Sequence, residues 1–314
     1  MLKKYSKILM LMFLCTYASA QTTPQFTQYL FNKFYLNPAA AGLGNQTQIQ
    51  ASLRSQYTGY LADFDQGGNN TISVFSADMP IQKLKGGLGV YFSNNQFSKI
   101  ESKQEISLNY SFYKKINSNV ISAGVGLGIN NLRLLGENYK PRDDEDPIIP
   151  NSNINLKALN FSTGIFLQNP SYQVGLSAKN LLKPSYKIGE GTIEENPTII
   201  LTGKYDLGIT YNLDISPMFL IKSNLVNYNT ELGVLATYNQ KYWGGVNYRW
   251  QDAISLLVGG NLLKNTVKLG YSIDFVNFGT EAKSTTSHEI FLRYLLASPK
   301  FGKKTIIKTP RYNF

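Results

Sequence analysis

The stretch "VISAGVGLGIN" alternates without a break. Ile121, Ala123, Val125, Leu127 and Ile129 fall on one face of an extended chain, and Ser122, Gly124, Gly126, Gly128 and Asn130 fall on the other. A side-chain period of two specifies a β-strand. The same pattern returns in "QEISLNYSFY" and "TVKLGYSIDF". About fourteen such segments follow one another, near 47–56, 70–79, 86–94, 103–113, 119–130, 157–167, 172–180, 198–209, 215–226, 230–239, 242–250, 253–262, 266–275 and 287–296. Most are close to ten residues long, which is what a tilted strand needs to cross a bilayer.

The spacing of these segments constrains the fold further. Gaps after even-numbered segments are short, as in "IQKLKG", "KKINS" and "QK". The long gaps, near 57–69, 131–156, 181–197 and 276–286, all follow odd-numbered segments. An even number of antiparallel strands, with short turns at one end and long loops at the other, is the pattern of an outer-membrane barrel. It places both termini at the short-turn end, which is the periplasmic one in such barrels. A soluble β-sandwich would alternate similarly. Its solvent face would be rich in Lys and Glu, whereas the polar face here is mostly Gly, Ser and Asn. Tyr110, Tyr113, Tyr238, Tyr242, Trp243, Tyr248 and Trp250 mark strand ends, as an interfacial aromatic girdle requires. The expected fold is an all-β transmembrane barrel of about fourteen strands.

Composition fits that reading. Only 16% of residues are charged, while the chain holds 21 Tyr and 17 Phe. Residues 1–20 read as a secretory signal, with Lys3, Lys4 and Lys7, the apolar run "ILMLMFLCTY" and a small-residue cleavage site at Ala18-Ser19-Ala20. The apolar run is too short to span a membrane. Cleavage after Ala20 removes Cys15, the one cysteine, and with it disulfide and thiol chemistry. The formal charge of +11 includes the three signal lysines, leaving 11 − 3 = +8 on the mature chain. That surplus suits anionic lipid head groups or an acidic partner surface. No motif points to nucleic acid. The expected organisation is a signal peptide (1–20), a plug-like periplasmic segment (21–46), the barrel (47–296) and a basic periplasmic tail (297–314).

Few residues suggest chemistry. His288, the one histidine, adjoins Glu289, which reads as a structural hydrogen-bonding pair. One histidine and no cysteine make a poor transition-metal site. The run "RDDEDP" offers four carboxylates, Asp143 to Asp146, of the hard-oxygen type that calcium prefers. It lacks EF-hand spacing and reads as a solvated loop, as do Glu190, Glu194 and Glu195. The glycines of "GVGLGIN" sit inside a strand and not at a strand-to-helix turn, so they are no phosphate cradle; they let the wall curve or leave room inside. No catalytic residue, metal or cofactor is expected.

The mature chain opens with "QFTQYLFNKFYLNPAAAG", soon followed by "LRSQYTGY". These segments resemble the PorP/SprF family of Bacteroidota type IX secretion and gliding systems. The shared pattern is Gln-Tyr-x-x-Asn, Asn-Pro-Ala-x-x-Gly and Arg-x-Gln-aromatic. It falls here on Gln28, Tyr29, Asn32, Asn37, Pro38, Ala39, Gly42, Arg54, Gln56 and Tyr57. Tyr57 stands where the family commonly has Trp. "YWGGVNYRWQDAISLLVGG", "KLGYSIDF" and "SHEIFLRY" extend the resemblance through Trp243, Tyr248, Arg249, His288 and Glu289. The resemblance implies an integral outer-membrane barrel that is not an enzyme. It implies that the barrel works with a large surface adhesin, in its secretion or its retention at the surface; the expected mode is that the long outer loops bind the adhesin's C-terminal domain, with other secretion or gliding components as further partners. The aromatics of 21–46 are expected against the barrel's lower rim or inner wall. Lys268, Asp274, Arg293, Arg249 and Glu289 are expected to face the lumen in ion pairs. The alternative function is an outer-membrane channel or transporter for small or apolar substrates.

Overall fold

The computed structural model describes residues 24–44, 46–58, 69–98, 100–138, 152–189, 191–277 and 284–296. Among them, no helix is long and apolar enough to cross a membrane. Strands form the wall: β1 (Thr47–Gln56), β2 (Asn70–Ile81), β3 (Gly86–Phe97), β4 (Glu101–Ile116), β5 (Asn119–Leu135), β6 (Asn153–Gln168) and β7 (Tyr172–Lys179). A small separate hairpin follows, β8 (Ser185–Ile188) and β9 (Gly191–Glu194). The wall resumes with β10 (Thr198–Tyr205), β11 (Leu207–Thr210), β12 (Leu213–Ser223), β13 (Tyr228–Tyr238), β14 (Tyr242–Arg249), β15 (Ala253–Leu262), β16 (Val267–Val276) and β17 (Thr286–Leu296).

Each wall strand pairs antiparallel with its neighbours in sequence, and β1 pairs with β17, which closes the ring. Both β10 and β11 pair with β12, so they are one wall strand interrupted at Asp206. The result is a closed fourteen-strand barrel, and each strand lies where the alternation places one. Both β1, by its start, and β17, by its end, meet the short-turn end. Turns such as 117–118 and 239–241 lie there, while 57–69 and 180–197 join strands at the opposite end.

The alternation has a direct physical meaning. Leu127 is 65% exposed on the outer wall, whereas Ser122, of opposite parity, is 1% exposed inside. An outer surface of Leu, Ile, Val and Phe suits lipid tails, and the closed ring leaves no strand edge unpaired in hydrocarbon. Tyr238, Tyr242, Tyr248 and Trp250 point outward, as a girdle requires. Trp243 does not. It shares parity with Asn247 and Arg249, and its indole is buried inside the barrel.

The barrel is not hollow. Residues 24–44 lie within it, and Phe26, Tyr29, Phe34, Tyr35, Leu36 and Ala41 form one buried cluster with inward residues such as Ile72, Tyr91 and Leu220. The segment consists of a 3-10 turn (Tyr29–Phe31), one helical turn (Lys33–Leu36) and a second 3-10 turn (Pro38–Ala40). At the long-connection end, β8–β9 lays Tyr186 and Ile188 against the inward-facing Leu132 and Leu134.

Candidate functional site

Two short stretches of the inner segment are held by different chemistries. The first is Thr27–Gln28. The Thr27 amide donates to Glu289 Oε2 at 2.7 Å, and the Gln28 amide donates to Glu289 Oε1 at 3.1 Å. The Thr27 hydroxyl donates to Asp274 Oδ1 at 2.7 Å and accepts from Arg54 Nη1 (2.9 Å) and Arg249 Nη2 (3.1 Å). The Thr27 carbonyl accepts from Asn247 Nδ2 at 3.0 Å. One residue of the segment is thus bonded to β1, β14, β16 and β17 together.

The charges around Thr27 also pair with one another. Arg54 bridges Asp274 (2.5 Å) and Glu289 (3.4 Å). Arg249 meets Glu231 (3.1 Å), Asp252 (3.0 Å) and Asp274 (3.3 Å). All but Asp252 are nearly inaccessible to solvent. Buried charges persist only where they are paired and hydrogen-bonded. Here the inner segment supplies the neutral donors and acceptors that complete the network.

The second stretch, Leu36–Gly42, is held by shape. The Asn37 side chain caps the Pro38–Ala40 turn by accepting from the Ala39 amide at 2.9 Å. Its Nδ2 donates to Ile165 O (2.9 Å) and Leu176 O (3.2 Å). Wall serines reach the same backbone: Ser177 donates to Leu36 O, Ser122 to Ala39 O and Ser111 to Ala41 O. The wall facing the turn is glycine. A Cβ on Gly124 would enter the backbone of Pro38 and Ala39, and one on Gly87 would enter that of Ala41 and Gly42. Gly42 itself has φ +63°, in the left-handed region, and its amide donates to Asp78 Oδ2 at 2.7 Å. Small residues on both sides therefore allow main chain to lie on main chain. Replacing Asn37 by Ala is expected to cost about 1–3 kcal/mol, because two wall carbonyls and one amide lose their partner. Urea unfolding of the refolded barrel measures this.

The remaining signature residues divide by depth. Tyr29 and Asn32 are buried within the barrel; Gln56 Oε1 accepts from Asn70 Nδ2; Tyr57 follows β1 with φ 56°, its amide donating to Ser287 Oγ. Tyr248 faces outward. His288 and Glu289 do not pair, since neighbours on a strand point to opposite faces. Glu289 faces the lumen, and His288 Nδ1 meets the Tyr271 hydroxyl at 2.7 Å on the outer wall. Lys268 and Arg293 face the lumen but form no ion pair among the described residues. Lys268 lies instead over the rings of Trp243 (4.7 Å) and Phe31 (4.8 Å).

A polar cavity of about 60 Å³ opens at the long-connection end. Lys179 pairs with Glu105 at 3.2 Å there and stacks over Tyr35. Glu195 is not a solvated loop residue. It takes Lys103 at 3.6 Å and accepts from Asn130 and Asn180, and burial raises its carboxyl above the ordinary range. Asn95 and Asn131 line the same cavity, and their buried amide oxygens have no protein donor. The acidic run 143–146 and Glu190 lie outside the described residues, among which no cluster of metal ligands occurs.

Lys33 of the inner segment donates to Gln168 Oε1 at 3.2 Å. Burial, then the nearby Arg293 charge, pushes its ammonium from the ordinary 10.5 down to about 8. In the unfolded chain the group binds its proton more tightly, so wild-type stability rises as pH climbs from about 8 to 10.5. Lys33→Met is expected to be more stable than wild type at pH 7. That advantage should disappear by about pH 10.5, in unfolding curves taken across the range.

No curated protein matches the chain by sequence. Among solved structures, the CymD monoaromatic hydrocarbon channel superposes with a TM-score of 0.51 at 11% identity, over 85% of this chain and 92% of that one. A Pseudomonas aeruginosa FadL homologue gives 0.50 at 11% identity, over 88% and 95%. At such identity the likeness is one of fold, that of an outer-membrane barrel. The family model described as "Type IX secretion system membrane protein PorP/SprF" matches residues 18–294. Nearly the whole chain is covered, from the inner segment through the closing strand: it belongs to the PorP/SprF family of type IX secretion system membrane proteins.

Proposed function

We propose that this barrel supports the secretion and cell-surface anchoring of a large partner adhesin by binding that protein's C-terminal domain at the long-connection end. The observation that carries the reading is the occupied lumen. Residues 24–44 are tied to the wall by a buried ionic network and by serine-to-carbonyl bonds, which suits a rigid platform better than an open conduit. At the long-connection end, the cavity lined by Asn95, Lys103, Gln104 and Asn131 provides polar side chains toward an incoming chain. In this reading the protein is exported by a cleaved signal peptide and is integral to the outer membrane. Both termini lie in the periplasm, and other secretion or gliding components meet the barrel there. It acts by binding and not by catalysis.

The alternative, a channel for small or apolar substrates, draws on the fold shared with CymD and the FadL homologue. The small volume of the cavity and the charged Lys103, Glu105, Lys179 and Glu195 around it disfavour it. A pull-down of the tagged protein from its native outer membrane, with mass spectrometry of what co-purifies, separates the two. The anchor predicts one large exported protein near one-to-one. A lone barrel holding lipid or a small molecule would support the channel.

A further inference from the structure

The short-turn end of the lumen differs electrostatically from the rest of the interior. Lys33, Lys268 and Arg293 gather there, and Lys268 is close enough to feel the charges of the other two. The carboxylates nearby are already engaged. Asp206 pairs with Lys204 at 2.6 Å and accepts from Ser216, while Asp78 accepts from the Gly42 amide and Gln48 Nε2. Among the described residues, Lys33, Lys268 and Arg293 form no ion pair, and Arg293 Nε is buried without a partner. Asp78 lies near enough to attract Lys33 and Arg293 without pairing with either, so one carboxylate faces three cations, and the surplus positive charge carries a desolvation and repulsion cost.

The surroundings narrow what compensates them. Turns and strand ends on the same rim add Lys83, Lys85, Lys114, Lys115, Lys241 and Lys264, against Asp206 and Asp214. The sequence after β17 holds five more cations and no acid, so this chain's own tail has the wrong sign to neutralise the mouth. Membrane lipid surrounds the outer wall, whereas Lys268 is turned inward onto Phe31 and Trp243. A neutralising anion must therefore arrive along the barrel axis. An extended chain with several carboxylates suits cations spread across one end of the lumen better than one compact anion does.

We propose that the short-turn mouth of the lumen is a binding site for an acidic polypeptide segment, held by Lys33, Lys268 and Arg293 beside the Phe31–Trp243 platform. Because this mouth is opposite the polar cavity, the proposal stands or falls independently of what binds there.

The test uses the mature protein in neutral detergent and a fluorescein-labelled hexaglutamate peptide, with binding read by anisotropy. Binding should weaken as salt rises. A Lys268→Gln/Arg293→Gln double variant should bind about tenfold more weakly. Trp243 emission should shift on binding, with Trp250 at the far end as internal reference. Lys83→Gln/Lys85→Gln should weaken binding less. Arg293→Gln alone, checked for barrel-type heat-modifiable mobility, serves if the double variant misfolds. Unchanged affinity in the lumen variants would overturn the site. So would loss of binding through the rim lysines alone, or equal competition by inorganic phosphate. Capture of phosphatidylglycerol vesicles with no peptide binding would instead assign the charge to lipid.

Discussion

Replacing Arg54 by methionine is expected to destabilise the folded barrel by about 3–5 kcal/mol, the usual effect of stripping a buried charge of its counter-charge. Arg54 is 2% exposed and lies between Asp274, Glu289 and the Thr27 hydroxyl. Without it, Asp274 keeps Arg249, but Glu289 keeps only the amides of Thr27 and Gln28. Methionine fills similar space without the charge, so loss of packing contributes little. Equilibrium urea unfolding in lipid vesicles reads the stability, and limited proteolysis reads release of residues 24–44. Arg54→Lys should fall between the two, since an ammonium restores the charge but not the fork that serves three acceptors. A variant with wild-type stability and protection would mean that the network does not hold the segment.

Gly124→Val tests the other half of the attachment. Valine suits a strand backbone, and on the outer wall it would be harmless. Position 124 faces inward, however, where a Cβ would enter the main chain of Pro38 and Ala39. Overpacking of this kind costs about 1–3 kcal/mol. Relief is available by displacing 37–42 without unfolding the wall. The expected result is a barrel that still shows heat-modifiable mobility, with new protease sensitivity in 37–44 and a raised conductance in planar bilayers. Unchanged conductance and protection would show that the turn is not wedged against Gly124.

Much of this architecture could be read from the sequence because one rule, period two, governs the wall. Parity carries further than individual residues suggest. Arg249 reads as lumen-facing, and Trp243 is six residues earlier on the same strand, so it also faces inward; its size and its place at a strand end suggested the girdle instead. The same rule separates His288 from Glu289, since adjacent strand residues cannot share a face. Other features had no such signal. Glu195 lies in a connection, and its draw toward Lys103 and Asn130 depends on how β8–β9 folds back. That Lys268 would meet aromatic rings and not a carboxylate depends on Phe31, more than two hundred residues away in the chain. The lumen glycines were ambiguous between a curving wall and vacated space, and only the path of Pro38–Gly42 decides for space.

The register of the closing seam sets Arg54 opposite Glu289, on the first and last wall strands. The segment that Glu289 receives is made before any strand, yet its receptor is made after nearly all of them. A nascent chain halted before residue 289 can present Thr27 and Gln28 but has nothing to accept their amides. A chain whose ends have met out of register separates Arg54 from the carboxylate it serves. The contacts of Thr27 and Gln28 therefore require the last strand to be present and joined in register. The buried network around Thr27 can thus close only when the ring is complete and in this register.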